Sequence, residues 1–365
     1  MYRWIKKAET LGQSAQVENP SDQLTRITRE WRTIWEGSTS ARFSADAEAW
    51  PEEPIASEAI EKACRTFPQH TAVGVDRLRP RHLPMLPALA LEMLAVIVNM
   101  SEAAGVPLVE GADIVFLPKP TGGERPIGIL PTLYRVWCRC RRPAAHLWEE
   151  ENSRDYFWAA AGRSSSQAVH LQGVRLEAAR ADGQTAAALL TDLAKAYEYV
   201  NHSKLVQFAK AKKFPTRLLR LCIATYGGMR RVVSHGQCST WFEVPGQTIV
   251  AGCGMATTLL KVYTIELFDA LRKWHPRVEL HVYVDDVDLF CAQRRAADAA
   301  DALTGAARLL LQVFERALCL QVAFQKCVLL ATSADVGVRL QKGLASTGLS
   351  IKPWGEETWL PVHVA

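Results

Sequence analysis

Tyr283-Val284-Asp285-Asp286 stands between two apolar runs, Val278 to Val282 and Val287 to Cys291. Short apolar runs on either side of a polar break read as two strands joined by a tight turn. Adjacent carboxylates at such a turn repel, and each raises the pKa of the other unless a cation sits between them. A bound Mg²⁺ removes the conflict, because it takes a few carboxylate oxygens together with substrate phosphates. A bare Asp-Asp pair, however, is more often a polar hairpin turn and nothing more.

Working outward, Ala186 to Leu190 is a continuous apolar run ending at Thr191-Asp192, the pattern of a buried strand that delivers a carboxylate to its edge. Asp192 supplies a third carboxylate, and two Mg²⁺ ions held together can stabilise the attacking and leaving oxygens of an in-line phosphoryl transfer. A helix is expected from Asn201 to Lys213, and others over Ile55 to Phe67, Met85 to Gly105 and Ala296 to Leu320. Ile114 to Leu117 is a short strand stopped by Pro118, and Gly122-Gly123 reads as a hairpin tip before Arg125-Pro126-Ile127. Gln321 to Leu330 returns to a short strand pattern. Residues 1–53, which end near the Pro51-Glu52-Glu53-Pro54 breaker, read as a loosely attached leader.

Composition bounds the function. The 365 residues carry 43 Lys+Arg against 38 Asp+Glu, a formal charge of +5, with 48% hydrophobic residues, which excludes a disordered or fibrous chain. Of the cations 29 are Arg and 14 are Lys, and guanidinium forks match phosphate oxygens. The run from Arg125 to Arg142 holds Arg125, Arg135, Arg139, Arg141 and Arg142 with no acid among them. It is equally a solvated helix face or a phosphate-facing wall. Nine cysteines without a CxxC pair argue against a disulfide framework and a zinc knuckle. Met85 to Met100 is broken by Pro87 and Glu92 and is too short to span a bilayer, so an intracellular protein without a membrane partner is expected, nucleus or cytoplasm being unresolved.

The order of several segments resembles reverse transcriptases, most closely those of non-LTR retrotransposons. Tyr283-Val284-Asp285-Asp286 resembles their YxDD hairpin, and Thr191-Asp192-Leu193-Ala194-Lys195-Ala196-Tyr197 their first catalytic motif. Between them, Gly252-Cys253-Gly254-Met255-Ala256-Thr257 resembles the Gly-containing loop that opens a long helix, here Met255 to Trp274. Leu117-Pro118-Lys119 with Arg125-Pro126-Ile127 resembles the fingers hairpin, Gly74-Val75-Asp76 an early fingers turn, Gly162-Arg163-Ser164 the GRS motif, and Phe324-Gln325-Lys326 a late palm segment. The match covers about residues 54 to 333. Ala251 stands where these enzymes commonly have Gln, Ala256-Thr257 where Ser-Pro is usual, and Glu198 where Asp often follows the aromatic.

The resemblance implies an α+β fold, with polymerase fingers and an antiparallel palm sheet backed by helices. It divides the chain into a leader (1–53), fingers and connecting helices (54–185), the palm (186–333) and a tail before a truncated thumb (334–365). It implies an RNA-directed DNA polymerase that extends a DNA primer on an RNA template with dNTPs. Asp192, Asp285 and Asp286 would hold two Mg²⁺ ions, with Lys326 as a candidate general acid for pyrophosphate. Lys119 and Arg125 would grip the triphosphate, and Gly252 and Gly254 would position template and nucleotide. Arg135, Arg139, Arg142 and Arg163 would face nucleic acid, and Lys195 would be an outer-edge residue. Tyr197 would exclude the ribose 2′-OH, which favours DNA over RNA synthesis. An RNA-directed RNA polymerase and an inactive truncated remnant that only binds nucleic acid are the alternatives. Whether a partner chain supplies the thumb or a nuclease is left open.

Overall fold

The structure, a computed structural model, describes residues 19–36, 53–119, 123–160, 162–244 and 246–347. Its elements run α1 (Pro20–Trp35), α2 (Ser57–Arg65), α3 (Ala88–Ala104), β1 (Ala112–Pro118), β2 (Glu124–Ile129), α4 (Thr132–Glu151), α5 (Ser165–Ala181) and β3 (Thr185–Ala194). There follow α6 (His202–Ala211), α7 (Thr216–Tyr226), β4 (Met229–Ser234), β5 (Gln237–Cys238), β6 (Phe242–Glu243) and α8 (Ala256–Trp274). The chain continues through β7 (Glu279–Tyr283), β8 (Asp286–Gln293), α9 (Ala296–Gln312), β9 (Gln321–Val322), β10 (Val328–Ala331) and α10 (Ala334–Leu344). The fold class is α+β, as expected. Among the described residues no helix is long and apolar enough to cross a membrane.

Two sheets organise the molecule. The first has the order β10-β3-β8-β7 and is antiparallel throughout, with β9 pairing the far end of β3. Its two faces differ because side chains alternate along each strand. Ala187, Leu189, Val287, Leu289, Leu280 and Val282 enter the main core, where α8 and α9 supply Leu259, Phe268, Leu303 and Leu310. Ala186, Ala188 and Phe290 meet Leu176 and Ala179 of α5 on the other face. Each fully buried Leu here contributes about 1.5–3 kcal/mol of hydrophobic stabilisation.

The second sheet runs β2-β1-β4-β5, with β6 on β4, and is mixed because β1 pairs β4 in parallel. Its β1–β2 hairpin was legible; its β4–β6 part was not. Gly122 of the expected tip lies outside the described residues.

Other expected boundaries moved for local reasons. The helix expected from Met85 starts at Ala88, because Pro80–Met85 form a 3₁₀ turn and Pro87 fixes the entry. The long helix after Ala296 ends at Gln312 and passes into a single π turn, Val313–Ala317. Gln321 to Leu330 divides into two short strands around a 3₁₀ turn, Phe324–Lys326. The largest difference is at the amino end, read as a loose leader: in α1, Ile27, Trp31 and Trp35 are buried at spacing four, one stripe of a helix packed into the core. The rest of the leader up to residue 52, and the tail beyond 347, lie outside the described residues.

Candidate active site

Strand register brings the carboxylates together. Asp192 near the end of β3 is directly opposite Asp286, the first residue of β8. Tyr283 also pairs with Asp286 across the hairpin, so Val284-Asp285 is a two-residue loop. Val284 has φ 62°, a left-handed conformation that a β-branched residue rarely adopts. A positive φ at the first loop residue matches the twist of a tight hairpin.

Burial raises the Asp285 carboxyl above its ordinary range and Asp192 adds to the rise, while its own backbone N–H, Arg125 and Lys326 pull it down. Burial, then Asp285 and Asp192, push Asp286 up to about 6. The three carboxylates therefore act on one another as a cluster, with Arg125 of β2 and Lys326 as nearby cations. Lys326 is held there by the chain path. The Ala323 N–H donates to the Asp192 carbonyl at 2.8 Å where β9 leaves β3, and the Lys326 ammonium then donates to the Asp192 carboxylate.

Tyr197 follows β3 in a 3₁₀ turn, Ala196–Tyr199. Burial first and the Asp285 charge second push its phenol up. Its carbonyl accepts from the Ile249 N–H at 2.8 Å. That loop continues to Gly252, whose φ is 99°. It docks on the β1–β2 hairpin, the Gly128 N–H donating to the Ala251 carbonyl at 2.8 Å. A Cβ on Gly128 would stand 2.0 Å from Val250 Cγ1, and one on Gly252 3.1 Å from the Gly128 carbonyl oxygen, so neither backbone leaves space for a side chain. Lys119 closes the hairpin with its N–H on the Gly123 carbonyl, and its charge lies near that of Lys195.

The reverse transcriptase (RNA-dependent DNA polymerase) family matches residues 117–342, more than half of the chain. The chain belongs to the reverse transcriptase family. No curated protein matches the chain. Matching solved structures include apo telomerase from Candida tropicalis truncated from its C-terminal domain, at 13% identity and TM-score 0.45, covering 72% of this chain and 59% of that one.

In this member of the family the arginine run divides. Arg141 turns inward to Glu102 at 2.8 Å, the carboxylate buried and the guanidinium largely covered. Arg135, Arg139 and Arg142 line a groove of about 720 Å³ together with Lys62, Gly252 and Gly254. Arg139 stacks 3.5 Å from the Phe67 ring centroid, and Arg142 donates to the Gly254 carbonyl at 3.2 Å. Among the described residues the buried Arg135 Nε has no hydrogen-bond partner. Arg163 has a different occupation, donating to the Asp155 and Phe157 carbonyls at 3.0 and 2.9 Å. Its neighbour Ser164 caps α5 in a capping box with Gln167, a structural reason for the GRS sequence.

Asp288 escaped the sequence reading. It lies two residues beyond Asp286, hence on the same face of β8, opposite Leu190 on β3 and His281 on β7. Burial, then Asp286, push its carboxyl up to about 7. The signal available was the alternation Asp286-Val287-Asp288 in a strand whose other side is core.

Reverse transcriptases use divalent metal ions. Among the described residues no three His, Cys, Asp or Glu side chains are poised as a metal site as they stand, and the Lys326 ammonium rests on Asp192. The donor chemistry fits such ions: carboxylates that raise one another's pKa are relieved by a shared cation of higher charge.

Proposed function

We propose that this chain is the fingers and palm of a non-LTR-retrotransposon type of RNA-directed DNA polymerase, which extends a DNA primer 3′-OH with dNTPs on an RNA template. The observation that carries the reading is the register of Asp192 against Asp286 with Asp285 in the intervening turn. It puts three mutually repelling carboxylates at one edge of a sheet, beside Tyr197 and within reach of the Arg125 charge.

Asp192, Asp285 and Asp286 hold two Mg²⁺ ions in this reading. When bound, these ions would lower the pKa of the primer hydroxyl and screen the triphosphate. The protein's own groups do the rest. Arg125 and Lys119 approach from the β1–β2 hairpin and bring fixed positive charge to the phosphates, most effective where negative charge accumulates in the transition state. Lys326, released from Asp192, is placed to give a proton to departing pyrophosphate. Tyr197 blocks the space a ribose 2′-OH would need. The groove of Arg135, Arg139 and Arg142 runs beside the Gly252 loop and takes the template backbone through phosphate contacts, which are indifferent to base sequence. Primer extension on an RNA template with single dNTPs tests the reading: incorporation is expected, and its loss on replacing Asp192 or Asp285.

A further inference from the structure

Helix α1 contributes nothing to the carboxylate cluster, yet it grips the turn that carries Tyr197 at two points and the neighbouring Gln247 loop at a third. The Lys195 ammonium lies 4.2 Å from the Trp31 ring centroid. The Trp35 indole N–H donates to the Glu198 carboxylate, and Gln247 donates its amide N–H to the Ile34 carbonyl. Lys195, just before the 3₁₀ turn, and Glu198, within it, stand on either side of Tyr197 in the chain.

The grip extends into a buried network. Arg230 on β4 is 2% exposed, lies 4.0 Å from the Glu198 carboxylate and has its guanidinium 5.1 Å from the Trp35 ring centroid. It donates to the Tyr226 carbonyl and to Thr248 Oγ1, both at 3.1 Å. Thr248 has φ 83°, and its N–H donates to the Val200 carbonyl at 2.8 Å. The next residue, Ile249, is the one that donates to Tyr197. Trp35, Glu198 and Arg230 thus brace both ends of the hydrogen bond that holds the Tyr197 backbone.

Stability does not account for this arrangement. Burial raises the Glu198 pKa and pushes Arg230 down to about 10, so each partner resists its own charged state. A buried ion pair at 4.0 Å recovers little of that desolvation cost, and apolar residues would pack as well. Such a network supplies position instead, and selection by steric collision is sensitive to small displacements.

We infer that Trp35, Glu198 and Arg230 are positioning residues for nucleotide selection: the amino-terminal helix holds Tyr197 where it collides with a ribose and so sets the preference for dNTPs. This rests on the reading of Tyr197 as the sugar-excluding residue. Trp35→Phe keeps the ring on Phe242 and Arg230 but removes the indole N–H, and Glu198→Ala removes its acceptor.

The test has two readouts on the same proteins. Hydrogen exchange of the backbone amides of residues 196–201 is expected to speed up about tenfold or more in both variants, while Arg29→Ala, an exposed change on the same helix, leaves it unaltered. The rNTP:dNTP ratio of kcat/KM is expected to rise about fivefold or more in Trp35→Phe, with kcat for dNTP within about threefold of the original. Unchanged exchange overturns the inference, as does faster exchange with an unchanged ratio when Tyr197→Ala does alter it. If Tyr197→Ala itself leaves the ratio unaltered, the sugar-excluding role of Tyr197 is what has failed.

Discussion

Asp192 and Asp286 are directly opposed across β3 and β8, two carboxylates in one cross-strand pair. Like charges placed this way destabilise a sheet, and Asp285 in the adjoining turn adds a third. Lys326 pairs with Asp192 and Arg125 adds a second nearby positive charge. A divalent ion should therefore stabilise the folded protein without any substrate. Mg²⁺ or Mn²⁺ at about a hundred times its Kd is expected to add roughly 2.7 kcal/mol, read as a rise in Tm. Asp192→Asn and Asp286→Asn should lose most of that rise, whereas an equal rise in both variants would place the metal elsewhere.

Asp288 gives a pH signature of its own. Its folded pKa, about 7, is above the ordinary 3.8, so the folded state binds the proton more tightly than the unfolded one. The group costs no stability below pH 4; the penalty grows as pH rises and is complete above 7. Asp288→Asn is expected to stabilise the metal-free protein at pH 8 by up to about 4 kcal/mol and to change little at pH 4. Denaturant titrations at the two pH values check this, and an equal effect at both contradicts it.

Much of this site was legible because its signals are local. Tyr283-Val284-Asp285-Asp286 lies between two apolar runs, and strand, turn and strand follow from that pattern alone. Asp192 was found the same way, from the apolar run before it, and the Gly252 loop through the family resemblance. What escaped depends on partners distant in sequence. Met229–Ser234 contains two arginines and becomes a strand through its parallel pairing with β1, where Arg231 meets Asp113 at 2.6 Å. The Trp31–Trp35 spacing was visible, but the charged residues around it, Arg29, Glu30 and Arg32, as at a helix surface, concealed that one stripe is core. Arg141 differs from its neighbours only because Glu102 of α3 faces it.

The close approach of Gly128 to Val250 gives a packing test. Gly128→Ala should cost about 1–3 kcal/mol, since neither the strand nor the loop can retreat without losing the Gly128 to Ala251 hydrogen bond. Urea unfolding measures it, and a neutral effect would mean that the hairpin and the loop are not in contact.

The arginine groove predicts a salt signature. Phosphate contacts release counterions, so affinity for an RNA/DNA hybrid should fall steeply with salt. Arg139→Ala and Arg142→Ala are each expected to reduce the log–log slope by about 1. Arg163→Ala should leave the slope unchanged, since its guanidinium is spent on the Asp155 and Phe157 carbonyls. Slopes measured by fluorescence anisotropy decide whether the groove or the Arg163 loop meets the backbone.

Sugar choice and chemistry should separate. Tyr197→Ala is expected to raise rNTP incorporation relative to dNTP by roughly 10- to 100-fold while keeping much of the dNTP rate. Competition between the two nucleotides on one primer reads the ratio directly, and an unchanged ratio would leave Tyr197 as a core aromatic.

The claim that Asp192, Asp285 and Asp286 form the catalytic centre of a DNA polymerase is tested most directly by single-turnover primer extension on an RNA template, with Mg²⁺ and one dNTP. The original protein should add that nucleotide, and Asp285→Asn should slow the addition roughly 10³-fold while binding the hybrid equally well. Addition at an undiminished rate by Asp285→Asn would contradict the account.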